Sequence, residues 1–328
     1  MTGPILVLGG TGAVGTHVAK LLAERDHQVL VGSRHLDQAE AVAAGIDGAE
    51  ARHVDIGHPE AVTDIPGVAV NCTGIEDATA VQRWRDAGWG VIDITASSPY
   101  ASELAQAPTV GPPLLVGVGL IPGLTSVLAR DLVGRNPSAT SVTISCLVGL
   151  GEDYGNASRD WTYGQLGRPI DDRSDTFRNF SEPDTIEFPA GFGRRPAWRF
   201  DFADRALLPE HLGVPVTTRY CFDSRVAGRA LAVASAVPAA AAALRRLNRL
   251  SRSTVGGTAW WAGVIETDTG ARSTAIGNGQ SHGTAAVTSI AAERLARDIA
   301  GSARYLWDLV DAPTLIAEVS DLGILISD

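Results

Sequence analysis

A short apolar run, Ile5-Leu6-Val7-Leu8, passes directly into Gly9-Gly10-Thr11-Gly12-Ala13-Val14-Gly15 and then into a segment of helical periodicity. The order is strand, glycine turn, helix. In that order Gly10-x-Gly12-x-x-Gly15 presents backbone N–H groups and the positive end of a helix to a pyrophosphate. Its glycines permit the tight turn, the close approach of the phosphates and close helix packing. Val14, Val18, Leu21 and Leu22 fall on one helical face, and Lys20, Glu24 and Arg25 on the other, as a helix lying on a sheet requires. Gly10, Thr11, Gly12, Ala13, Val14 and Gly15 are therefore assigned to a dinucleotide cofactor. The alternative is a glycine-rich connection in an ordinary α/β domain.

The second strand, Gln28 to Val31, ends in Gly32-Ser33-Arg34, about 20 residues past the glycine turn, where an NAD-selective site carries an acid for the ribose 2′-hydroxyl. No carboxylate stands there. A hydroxyl followed by a guanidinium suits a 2′-phosphate, because arginine offers a planar fork of donors to phosphate oxygens. Ser33 and Arg34 therefore predict NADP(H) rather than NAD(H), with a solvated loop arginine as the alternative.

Further strands are read at Ala51–Val54, at Val68–Gly74 running into a small-residue loop, at Gly90–Thr95 and at Leu114–Val118, with helices at Leu36–Ala44 and Thr79–Ala87 between them. Such alternation predicts an α/β domain with a doubly wound parallel sheet, whose ligands lie beyond the carboxyl ends of the strands. Asp55 is placed near the adenine edge. Cys72, Thr73, Gly74, Thr95, Gly119, Pro122 and Gly123 are placed around the nicotinamide, because they end strands near the switch point.

Charge and composition narrow the partners. At 328 residues the chain is long for one core, and its net charge of −10 argues against nucleic acid or an anionic membrane. A small-molecule substrate is expected instead. Three scattered cysteines, Cys72, Cys146 and Cys221, predict neither disulfides nor a metal site, and a reducing cytoplasm fits them. The first strand begins almost at once, which leaves no room for a secretory leader. Ala230–Leu244 is alanine-rich, broken by Pro238 and bounded by arginines; it is too short to span a bilayer and predicts a closely packed helix or helix pair. An interfacial anchor or a subunit contact stays open there. Lys20 is the only lysine in the chain. That speaks against Schiff-base chemistry and against the Tyr-x-x-x-Lys relay of short-chain dehydrogenases.

Beyond Thr125 the character changes. A helix from Thr125 to Val133 leads to Ser141–Val148, which alternates with period two and predicts an antiparallel strand. Gly149–Phe202 is long, polar and aromatic-bearing, with Phe180 and Trp198 among its residues, and predicts binding loops. Val214–Phe222, Trp260–Thr267 and Thr274–Gly277 are further strands, and Gly283-Thr284-Ala285 opens a helix through Ala300.

The ordered set Gly9–Gly15, Val70-Asn71-Cys72-Thr73-Gly74, Asp93-Ile94-Thr95, Gly119-Leu120-Ile121-Pro122-Gly123 and Gly283-Thr284-Ala285 resembles the saccharopine dehydrogenase/saccharopine reductase superfamily. The resemblance implies a Rossmann domain over 1–124, an inserted α+β substrate-binding and dimerisation domain over 125–282, and a segment over 283–328 returning to the first domain. It implies a homodimer and pyridine-nucleotide redox chemistry. The flanks Ile121 and Thr125 lack the family's acidic residues and no catalytic lysine is available, so saccharopine itself is a poor substrate. A divergent member reducing an imine, or an activated C=C bond, in specialised metabolism is expected. A non-catalytic NADP(H)-binding sensor or scaffold is the competing class.

Hydride transfer needs a held electrophilic carbon and a group that protonates or stabilises its neighbour. Asp153 and Tyr154 are the leading candidates, with surface loop positions as the alternative, and His282, before a helix start, is a third. Trp161 and Tyr163 are candidates to stack on substrate, and Arg168 or Arg173 to hold a substrate carboxylate; core packing and solvation are their alternatives. Asp93, inside an apolar strand, reads as a buried structural aspartate rather than a base.

Overall fold

The computed structural model of the protein describes residues 3–62, 65–152, 155–172, 175–250, 257–297 and 302–328. It divides into two compact units, Met1–Val127 with Ser281–Leu322, and Leu128–Gln280 with Gly323–Asp328.

The first unit alternates β1 (Ile5–Leu8), α1 (Ala13–Ala23), β2 (Val29–Ser33), α2 (Leu36–Ala43), β3 (Ala49–His53), β4 (Val68–Asn71), α3 (Ala78–Asp86), β5 (Gly90–Asp93), α4 (Ser98–Ala105) and β6 (Leu114–Val116). All six strands are parallel, in the order β3-β2-β1-β4-β5-β6. That is the doubly wound order, and the chain direction across the sheet reverses between β1 and β4. The strands read as continuous apolar runs because helices cover both faces, so every residue of β1, β4 and β5 is buried. Only the edge strand β3 alternates with charge, and its Arg52 and Glu50 pair at 3.0 Å. On the buried face of α3, Trp84 is 1% exposed and its Nε1–H donates to the Ile56 carbonyl at 2.8 Å.

The second unit takes most of α5 (Thr125–Arg135) and then β7 (Val142–Val148), α6 (Gly155–Gly164), β8 (Pro169–Asp172), β9 (Asp175–Arg178), β10 (Ser181–Phe188) and β11 (Gly193–Arg199). It continues through α7 (Asp204–Leu207), α8 (Pro209–Leu212), β12 (Val216–Phe222), α9 (Arg225–Ala236), α10 (Pro238–Leu250), β13 (Trp260–Thr267) and β14 (Arg272–Asn278). After α11 (Gln280–Arg297) and α12 (Ala312–Ser320), both in the first unit, β15 (Leu325–Ser327) pairs with β14. The sheet order is β10-β11-β12-β7-β13-β14-β15.

Three sequence expectations change here. Ser141–Val148 is not simply antiparallel: β7 runs parallel to β12 and antiparallel to β13, because it is central and nearly all buried rather than half-solvated. Gly149–Phe202 is largely ordered secondary structure rather than binding loops. Its aromatics build a core in which Phe180 and Phe200 approach to 5.0 Å, and Phe200 and Phe202 to 4.7 Å, between ring centroids. Finally, α11 starts at Gln280 rather than Gly283. The alanine-rich stretch is a helix pair, with Pro238 opening α10 at a position where its missing N–H has no intrahelical partner to lose.

Trp84→Phe keeps the ring but strands the buried Ile56 carbonyl, a cost of about 1–3 kcal/mol. Urea unfolding followed on the first unit should show a lower midpoint; an unchanged midpoint would contradict this packing.

Candidate functional site

The glycine turn is fixed by backbone contacts that no side chain tolerates. A Cβ on Gly15 would lie 2.3 Å from the Gly9 carbonyl oxygen, and one on Gly10 would lie 2.9 Å from Val31 Cγ1 and 3.0 Å from the Val7 carbonyl. Gly9 itself has φ +74°, which glycine adopts without steric cost. Gly10 N–H donates to the Gly32 carbonyl at 2.9 Å, and Thr16 Oγ1–H donates to the Gly10 carbonyl at 3.0 Å, so the turn is tied to both β2 and α1. Gly12, exposed, is the N-cap of α1 and provides no side-chain cap. The first N–H groups of the helix, from Ala13, Val14 and Gly15, are thereby left for a phosphate, and the close backbone leaves room for one.

Beside the turn, Thr11 Oγ1 reaches Ser33 Oγ at 3.5 Å, and Ser33 Oγ accepts from the His35 N–H at 3.1 Å. Ser33 is buried, whereas Arg34 extends into solvent at the end of β2. Asp55, half-buried past β3, accepts from the Gly57 N–H at 2.9 Å.

At the carboxyl ends of β4 and β5 lies a network that was not read as such in the sequence. Asn71 Nδ2–H donates to Asp93 Oδ2 at 2.7 Å, Tyr100 O–H donates to the same oxygen at 3.3 Å, and Thr95 N–H donates to Oδ1 at 2.9 Å. Asn71 Oδ1 in turn accepts from both the Thr73 hydroxyl, at 2.7 Å, and the Thr73 N–H, at 3.2 Å. One buried carboxylate thus sets the paths of both loops that carry Thr73, Gly74 and Thr95. Burial pushes the Asp93 carboxyl up to about 6, against the opposing pull of its hydrogen bonds from Asn71, Thr95 and Tyr100. Burial likewise raises the Cys72 thiol, and Asp93 adds to the rise. Both effects favour the neutral thiol at Cys72.

The turn after β6 closes the row of strand ends. The Gly119 carbonyl accepts from the Leu124 N–H at 2.8 Å, Pro122 follows a cis peptide, and Gly123 takes φ +118°. A Cβ on Gly119 would meet Thr284 Cγ2 at 3.1 Å, and Thr288 Oγ1–H donates to the Val118 carbonyl at 3.2 Å, so the start of α11 is docked on this turn. His282 lies within the first turn of α11 rather than before it. Its Nε2 is 3.2 Å from the Leu322 carbonyl, and its ring stands edge-on to His17 of α1 at 5.6 Å. Thr284 belongs to the Gly283-Thr284-Ala285 motif, whereas Thr16 and Thr288 carry no periodic or motif signal that singles them out.

In the second unit, Trp161 on α6 stacks with Phe202 at 6.2 Å and meets Phe200 edge-on at 5.6 Å, which places it against the aromatic cluster. Tyr163 is half-buried on the same helix, and exposed Arg168 donates to Gln165 Oε1 at 3.3 Å. Asp153, Tyr154 and Arg173 lie outside the described residues. Among the described residues, no group of three or more His, Cys, Asp or Glu side chains is arranged to hold a metal ion.

Residues 5–86 match the model of the NAD dependent epimerase/dehydratase family. That match covers β1 through α3, and so four of the six strands, including the one that leads into the glycine turn. No curated protein matches the chain. Among solved structures, a myo-inositol dehydrogenase from Corynebacterium glutamicum ATCC 13032 is similar at 10% identity and a TM-score of 0.45, over 98% of this chain and 94% of that one. A short-chain dehydrogenase/reductase from Vibrio parahaemolyticus is similar at 18% identity and a TM-score of 0.25, over 32% of this chain and 60% of that one. An imine reductase from Aspergillus terreus is similar at 24% identity and a TM-score of 0.25, over 32% of this chain and 36% of that one. The strand order of the first unit is that of the doubly wound dinucleotide-binding fold.

The ordinary value for the Asp93 carboxyl is 3.8. Its folded value is higher, so the folded chain holds a proton that the unfolded chain has released. The stability this group contributes is complete below about pH 4 and is lost as pH rises through about 6, a change of about 3 kcal/mol. Denaturation of the wild type should show this decline relative to Asp93→Asn across that interval. Parallel pH profiles for the two proteins would contradict it.

Proposed function

We propose that the protein is an NADPH-dependent reductase that delivers hydride to the C=N bond of a small, specialised-metabolism substrate, and that it is a divergent member of the saccharopine dehydrogenase/reductase superfamily. The observation that carries the cofactor choice is the end of β2. Buried Ser33 offers a hydroxyl beside Thr11, and Arg34 follows it into solvent with no carboxylate at either position. A bound NADPH supplies the hydride. The glycine turn and the head of α1 hold its diphosphate by N–H groups, Ser33 and Arg34 hold the 2′-phosphate, and Asp55 borders the adenine side.

Thr73, Gly74, Thr95, Gly119, Pro122 and Gly123 position the nicotinamide half and exclude water from it. Support for the superfamily comes from where its motifs fall. Val70–Gly74 leaves β4, Asp93–Thr95 leaves β5, Gly119–Gly123 follows β6, and Gly283-Thr284-Ala285 lies in the α11 turn packed on Gly119. Asp153 and Tyr154 are the proton-handling candidates: a carboxylate stabilises an iminium, and a phenol protonates nitrogen. Trp161, Tyr163 and Arg168 are the substrate-side candidates, and the protein works as a homodimer.

A guanidinium–phosphate hydrogen bond contributes about 1.5–3 kcal/mol, or roughly tenfold to a hundredfold in affinity. Arg34→Ala should therefore weaken NADPH by that factor and leave NADH binding nearly unchanged; equal loss of both would overturn the cofactor assignment. With a panel of cyclic imines, Asp153→Asn and Tyr154→Phe should lower kcat while the Kd for NADPH stays constant. NADPH binding without turnover of any imine would overturn the C=N reading, and turnover of enones in its place would assign the C=C acceptor.

A further inference from the structure

Helix α9 of the second unit shows its valines to solvent. On α9, Val226 is 80% exposed and Val233 69% exposed, and Val237 just past its end is 48% exposed. The spacing of seven and then four puts all three on one helical face, with exposed Ala230 between them. The opposite face is fixed by packing. A Cβ on Gly228 would lie 2.7 Å from Trp198 Cζ3, and Ser235 Oγ–H donates to the Asn179 carbonyl at 2.6 Å while accepting the Gly167 N–H at 2.6 Å. The small and polar residues are thus required inside, and the valines are left outside. An ordinary surface helix does the reverse.

The surrounding sequence is cationic. Residues 224–265 contain Arg225, Arg229, Arg245, Arg246, Arg249 and Arg252, with no aspartate or glutamate, in a chain of net charge −10. Arg225 and Arg229 are exposed beside the valine face, and Arg246 is exposed on α10. The overall acidity that argues against an anionic partner therefore does not hold for this segment.

We propose that the α9–α10 face docks on an anionic lipid surface and lies in the plane of its headgroups. Arginine stems follow apolar surface while their guanidinium groups reach lipid phosphates, and the valines enter the boundary below. A second copy of the chain is disfavoured, because a two-fold contact would set arginines against arginines. An acidic protein is a poorer fit, since isolated valines project from the face and would need a shaped partner, whereas lipid adapts to them. The pair does not span: the 13 residues of α10 extend about 20 Å against a hydrocarbon core of about 30 Å, and among the described residues no helix is long and apolar enough to cross. The acidic remainder of the chain is repelled by the same surface, which presents this face to it.

The test is co-sedimentation of the full-length protein with phosphatidylglycerol-containing vesicles and with phosphatidylcholine vesicles, at low and high salt. The protein should pellet with the anionic vesicles only and be released by salt. Arg225→Gln with Arg229→Gln should weaken binding about fivefold per arginine removed, and Val226→Ser with Val233→Ser should weaken it at constant charge. All four positions are exposed, and unchanged thermal melting confirms the variants are folded. Failure of the folded wild type to bind anionic vesicles would overturn the proposal, as would binding unaffected by either variant pair. So would retention on poly-glutamate but not on vesicles, or loss of dimer mass in the variants, either of which would assign the face to a protein partner.

Discussion

The carbonyl oxygen of Gly9 occupies the space that a side chain on residue 15 would need, at 2.3 Å from where its Cβ would stand. This close approach brings α1 down onto the end of β1. Once it is made, the rest of the nucleotide end follows. Gly10 bonds back to β2, Thr16 clamps the turn, Thr11 comes beside Ser33, and the head of α1 is left without a side-chain cap. An uncapped helix end in a globular protein has unsatisfied donors. Here those donors lie at the carboxyl edge of a parallel sheet, next to the point where the chain direction across it reverses.

A second constraint operates two strands away. Asp93 is buried and costly to ionise, and three donors converge on it from β4, from α4 and from its own loop. Asn71 stands between this carboxylate and Thr73, so the loops after β4 and β5 are fixed by one hydrogen-bonded chain. The turn after β6 is fixed differently, by the contact of Gly119 with Thr284 at the head of α11. For the reductase proposed above, fixed loops matter because a small displacement of the reacting atoms costs much of the rate.

The parts legible in the sequence are those whose signal is local. All strands of the first sheet but the edge strand β3 are legible because burial on both faces turns them into continuous apolar runs, and the glycine turn because Gly10 and Gly15 each have a steric reason. What escaped depends on pairing between distant residues. Asn71 and Asp93 are 22 positions apart and meet only through the parallel register of β4 and β5. Phe180 and Trp198 read as loop aromatics because the stretch around them is interrupted by glycine, proline and charge, yet both are buried. The outward valines of α9 follow from what Trp198 and Asn179 demand on its inner face, and neither demand is visible in the helix itself. Asp153 and Tyr154, the leading candidates for proton handling, fall outside the described residues.

The most direct test of the account is amide hydrogen exchange of the full chain with and without saturating NADPH. The account predicts slowed exchange confined to the glycine turn and head of α1, to Ser33–His35, and to the loops that carry Thr73, Thr95 and Gly119. Unchanged exchange at the glycine turn, with protection elsewhere or nowhere, would contradict it.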